Sequence, residues 1–151
     1  MARVKYLQRS DLVGVNDTLF DRLERERKVP TANIFRALAH APDILDQFLS
    51  YANAIRGSSI SPKLREMAIL TVGHCTGSEY EVAHHQSHGL KAGISAEQLK
   101  AIPEFETSPL FSEEERAVMA VAKESTLKVD VSDATWQRVA AFLDERQLVE
   151  L

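Results

Sequence analysis

The sequence predicts an all-α protein. Apolar residues recur at three- and four-residue spacing along most of the chain, and no alternating strand pattern runs longer than a few residues. Ser, Asp, Pro and Gly stand where the periodic runs begin and end, as helix caps and stops do. With 151 residues, 44% of them hydrophobic, and no linker or low-complexity tract, one domain over residues 1–151 with a real core is expected.

The elements follow in order. Asp17 or Thr18 starts a first helix running to about Lys28, broken by Pro30. Thr31 caps a short helix holding Ile34, Phe35 and Leu38. Pro42 suits the first turn of a third helix, whose apolar positions Ile44, Leu45, Phe48, Leu49, Ala52 and Ile55 follow the helical period before Gly57 stops it. Ser61 and Pro62 open a fourth helix reaching His74 or Cys75, and Gly73 and Gly77 bracket the break before the next. A fifth helix spans about Ser78 to Ala92 and ends at Gly93. Ser95 with Gln98 and Ser112 with Glu115 read as capping boxes, opening helices to about Ile102 and Leu127 with an irregular stretch from Pro103 to Pro109 between them. Ser132 or Asp133 starts another helix with Trp136, Val139, Ala140 and Leu143 on its buried side. Gln147 to Leu151 reads as the opening of one more apolar helix, so either that helix is very short or the natural chain continues. Either case leaves an apolar face to be covered by self-association.

Composition excludes several function classes. The formal charge is −4 and no basic block accumulates: Arg22 to Lys28 alternates with Glu24 and Glu26, as a solvated helix face does. No nucleic-acid or anionic-membrane partner is expected. One cysteine, Cys75, rules out a disulfide framework within the chain and fits a reducing compartment. Met1 to Gln8 has no apolar core behind Arg3 and Lys5, so no secretory leader is expected, and no run is long enough to span a bilayer. A cytoplasmic protein is expected.

The chemistry concentrates between Leu64 and Gly93. Glu66 interrupts an apolar helical run and shares a face with Leu70 and Gly73, where the missing side chain lets another helix come close. A carboxyl buried there favours its neutral form and becomes a usable acid or base near neutrality; the structural alternative is a glutamate held by Arg65, Lys63 or a helix end. On the fifth helix Glu81, His85 and His88 form one stripe, His84 and His88 a second beside it, and Tyr80 adds a phenol. Three imidazoles in five residues point to a proton-transfer site in which His85 faces Glu66. The alternatives are a polar face whose histidines bond to backbone or water, and a metal site drawing on Glu81, His84, His85 and His88 with Glu66. Only one Glu-x-x-His motif is present, Glu81 to His84, so a complete metal site needs ligands from elsewhere. Cys75 is a small core residue or a reactive thiol without a resolving partner. Phe35, Phe48 and Tyr51 are candidate pocket-lining aromatics.

These residues resemble the carboxymuconolactone decarboxylase and alkylhydroperoxidase D-like superfamily, through LREMAIL, TGSEYEVAHH, GLKAGIS and EQLKAI. In looser form the resemblance covers Pro42 to Leu151, and the helix pair at about 62–75 and 78–92 carries it most specifically. The peroxidase branch has a glutamate followed, twelve residues on, by Cys-x-x-Cys-x-x-x-His. Counted from Glu66, those positions hold Ser78, Glu81 and His85. The glutamate and histidine are kept and both cysteines are gone, so dithiol peroxidase chemistry is not expected. The resemblance implies a helical bundle around a central antiparallel helix pair and a homotrimer or homohexamer. It implies a lyase of the decarboxylase type without metal or organic cofactor, acting on a small carboxylated lactone or carbonyl compound. The resemblance marks Glu66, Ser78, Glu81 and His85; with the helix stripe read above, catalysis is expected of Glu66, His85, Tyr80 and Glu81 and substrate binding of Ser78, His84 and His88, with Tyr80 or His88 as donor to an enolate oxygen. A metal-dependent enzyme, a relative that has lost its dithiol and a non-catalytic helical module stand as alternatives.

Overall fold

Helix boundaries fall largely where the capping residues place them. The computed structural model describes residues 3–11, 15–27 and 32–151, and among these every regular element is helical. The chain divides after Gly57 into two compact units.

The first unit holds a 3-10 turn at Arg9–Asp11 and helices α1 (Val15–Arg27), α2 (Asn33–Leu38) and α3 (Pro42–Arg56). Its core gathers Leu19, Phe20, Leu23, Phe35, Ala39, Leu45 and Leu49. Each leucine and phenylalanine among them contributes about 1.5–3 kcal/mol of apolar burial. Arg22 fastens α1 to α3 by pairing with Glu26 and Asp46, so the expected basic face is also a tie between helices. α1 begins at Val15, ahead of Asp17 and Thr18. Lys28, Pro30 and Thr31 lie outside the described residues, and Ala32 occupies the N-cap of α2 without a side-chain bond. On α3 the core stripe is Leu45 and Leu49. Ile44 and Ile55, expected inside, are exposed because they sit on the neighbouring stripe. Phe35 and Phe48 are not pocket lining: Phe35 is core and the Phe48 ring packs 6.3 Å from it. Tyr51 is 67% exposed.

The second unit holds α4 (Pro62–Thr76), α5 (Glu79–Lys91), α6 (Ala96–Ala101), a 3-10 turn at Ile102–Glu104, α7 (Glu113–Lys128), α8 (Asp133–Ala140) and α9 (Glu145–Glu150). Pro103 therefore lies in a 3-10 turn, not in an irregular stretch. The Ser61 hydroxyl accepts from the Leu64 N–H, and both expected capping boxes form, at Ser95–Gln98 and Ser112–Glu115. A third box, Asp144–Gln147, starts the short last helix.

α4 runs through the middle of this unit and packs on both α5 and α7. One side of it joins Met67 and Leu70 to Ile94, Ile102, Phe105, Phe111 and Met119. Another side joins Leu64 to Ile60, Ala117, Val118, Val139 and Leu143. On α8 the core positions are Thr135 and Val139; Trp136, 45% exposed, and Ala140 face out, against expectation. Position 136 lies a quarter-turn off the 135/139 stripe, and an eight-residue helix with one buried face has no second core for an indole. Among the described residues no helix is long and apolar enough to cross a membrane.

Candidate active site

The turn between α4 and α5 sets the site. Gly77 ends α4 in the left-handed region, at φ 66°, which glycine adopts without steric cost. The chain reverses over Ser78, so α5 returns antiparallel beside α4. Gly73 does not help break the helix; it lies inside α4 at the closest approach of the pair. A Cβ there would sit 3.0 Å from Val82 Cγ2 and 3.7 Å from Glu81 Cβ. Farther along, Gly89 of α5 seats against Leu70 of α4. The glycines draw the helices together and bring residues 66 and 85 face to face.

Glu66 is buried, with 6% of its surface exposed. Its Oε2 lies 2.7 Å from His85 Nδ1, a hydrogen bond in which the ring N–H donates to the carboxylate. Arg65 Nε stands 3.9 Å from the other oxygen, Oε1. Lys63, the other candidate partner, pairs with Glu115 of α7 at 2.6 Å instead. The second nitrogen of His85, Nε2, faces Glu81 Oε2 at 3.6 Å. One imidazole is thus flanked by a buried carboxylate on Nδ1 and a half-exposed one on Nε2.

The other predicted residues divide. His88 closes a triangle with Glu66 and His85: one ligand-capable atom from each lies within 4.8 Å of the other two. His84 packs edge-on against His85 and His88, with ring centres at 5.3 and 5.0 Å. Tyr80, 51% exposed, stacks on His84 at 6.0 Å and 4°. Ser78 stands apart from this cluster. It lines an open cleft of about 360 Å³ with Gly73, His74, Gly77, Val82 and Gln86, on a different face of α5 from His85 and His88. A smaller cleft of about 220 Å³ holds Cys75 with Thr71, His74, Phe105 and Lys123.

His74 lines both clefts, and the sequence reading passed over it. Partial burial holds its imidazole below the ordinary value, since desolvation disfavours the charged ring. The available signal was its place beside Gly73, on a surface the close helix approach partly covers.

The chain belongs to the carboxymuconolactone decarboxylase family, whose model matches residues 42–124. The helix pair and its Glu–His contact lie inside the matched stretch. Two solved structures of the debrominase Bmp8 share the fold. One, of a cysteine-to-alanine variant in complex with 2,3,4-tribromopyrrole, has a TM-score of 0.81 at 21% identity, covering 99% of this chain and 80% of that one. The other, without ligand, has a TM-score of 0.80 at 21% identity and covers 99% and 81%. Comparison with curated protein sequences gave no significant match.

Proposed function

We propose that this protein is a cofactor-independent lyase that removes a carboxyl group from a small lactone or carbonyl compound, with Glu66 and His85 as its proton relay. The observation that carries this reading is the 2.7 Å contact between a buried carboxylate and an imidazole. Glu66 holds Nδ1, which fixes the ring and leaves Nε2 for chemistry, as in acid-oriented histidines generally. In the reaction the C–C bond to the carboxylate breaks and CO2 departs. The electron pair flows into the conjugated carbonyl to form an enolate, and His85, acting as the doubly protonated ring, delivers its Nε2 proton to carbon and is left neutral with Nδ1–H still on Glu66. The proton is restored from water.

His88, with its ring centre 5.4 Å from that of His85, is the better placed donor to the enolate oxygen. Tyr80 is turned onto His84 and acts at the margin, with His84, where the substrate enters. Glu81 stands in front of Nε2, so the substrate must displace its half-exposed side chain. Ser78, on the other face, bears on substrate only through the neighbouring cleft. Ser78 and Glu81 where the dithiol branch carries cysteines weigh against peroxidase chemistry. From the family resemblance and the composition we also propose a homotrimer or homohexamer located in the cytoplasm.

The test is a panel of unsaturated lactone acids and β-keto acids, with CO2 release and deuterium uptake from D2O measured together. Turnover is expected for at least one class, with kcat falling about 10²–10⁴-fold in His85→Ala and falling also in Glu66→Gln. Turnover that His85→Ala leaves intact defeats the relay.

A further inference from the structure

We infer that Glu66, His85 and His88 form a binding site for a divalent transition ion, with Zn²⁺ the natural probe. Sequence spacing offered five candidate ligands; the structure selects three. Two imidazoles and one carboxylate converge within 4.8 Å, while Glu81 and His84 stay outside the triangle. Zinc takes His nitrogens and carboxylate oxygens at about 2.0–2.2 Å in a tetrahedron, which sets ligand atoms about 3.3 Å apart. The Glu66–His85 pair, at 2.7 Å, needs to part by only about half an ångström to admit the ion.

A second observation is independent of the triangle. Histidines that hold a metal through one nitrogen usually present the other to a carboxylate, which fixes the ring and strengthens the ligand. His85 has such a carboxylate at hand: with Nδ1 turned to Glu66, Nε2 stands 3.6 Å from Glu81 Oε2, about half an ångström beyond hydrogen-bond reach. Charge agrees as well. Glu66 and Glu81 bring negative charge to the ring of His85, and Arg65 Nε stands 3.9 Å from the other carboxyl oxygen of Glu66, Oε1. Three protein ligands leave one tetrahedral position open, to water or to a carboxylate or carbonyl oxygen of a small molecule.

This site does not rest on the lyase reading: an ion held by Nδ1 and Oε2 replaces the proton shared there, so the metal-bound and proton-relay states of the pair exclude each other. Its test therefore reads metal and not turnover. Chelator-treated protein is titrated calorimetrically with Zn²⁺, and the bound metal is counted after dialysis. One ion per chain is expected. His88→Ala should weaken binding by more than about 100-fold, and Glu81→Gln by about 10–100-fold, while His84→Ala and Cys75→Ser leave it unchanged. Glu81 is half-exposed, so its variant keeps the test sharp even if His88→Ala folds poorly. Co²⁺ should give visible bands of tetrahedral intensity in the wild type. Substoichiometric metal, binding that survives in His88→Ala, equal loss in His84→Ala, or an aqua-like Co²⁺ spectrum each overturns the proposal.

Discussion

At the scale of single residues, the Glu66–His85 pair poses a conflict between stability and chemistry. A carboxylate with 6% of its surface exposed has lost most of its water and depends on its partners. Removing one partner strands the other: His85→Ala should destabilise the fold by about 1–3 kcal/mol. Replacing both with apolar groups of similar shape removes the unsatisfied group as well. Glu66→Met with His85→Leu should therefore unfold close to the wild type while losing all turnover. Urea unfolding of the wild type, Glu66→Met, His85→Leu and the double variant measures this directly. If the double variant loses the sum of the single losses, the two side chains are not energetically coupled and the buried contact has been over-read.

At the scale of elements, α9 is a short helix held by a carboxylate. Glu150 Oε2 accepts from the N–H and the hydroxyl of Ser59, both at 2.7 Å, and Oε1 accepts from Arg146 at 3.0 Å. The Ser59 hydroxyl bond and then Arg146 lower the Glu150 carboxyl from 4.5 to about 2. A folded value below the unfolded one means the clasp stabilises fully above pH 4.5 and is lost as pH falls toward 2. Wild type and Glu150→Gln should accordingly differ in unfolding midpoint at neutral pH and converge on acidification through that window. A gap that stays constant with pH would show that Glu150 acts through packing and not through charge. The capping chemistry behind most helix starts was legible in the sequence because it is local: Ser61, Ser95, Ser112 and Ser132 each bond within three residues. The Glu–His meeting was legible because the 66/85 register follows from one turn at Gly77. What escaped depends on contacts remote in sequence or on side-chain direction. Trp136 faces out because its neighbour Thr135 takes the core position. Ser78 parts from His85 because, as the N-cap, it has left helical geometry. The narrowing of five candidate ligands to Glu66, His85 and His88 depends on rotamers across two helices.

At the scale of the whole molecule, the question is what covers the apolar surface that single chains leave open. Ile44, Tyr51 and Ile55 are spaced seven and four apart along one stripe of α3, and all three are exposed. In the second unit Trp136, Phe142 and Val149 are exposed as well. Scattered apolar residues need no explanation, but a stripe along a helix is the pattern of a contact with another chain. The proposed homotrimer or homohexamer would supply that chain. Light scattering after size exclusion should give three or six times the 16.9 kDa chain mass. Tyr51→Glu and Trp136→Glu both alter exposed positions, so neither should unfold the isolated chain. At least one should lower the particle mass with unchanged helical circular dichroism, and should lower the thermal midpoint only where the wild type's own midpoint rises with concentration. A wild-type particle of one chain mass at micromolar concentration would sink the assembly and leave the α3 stripe without an assigned partner.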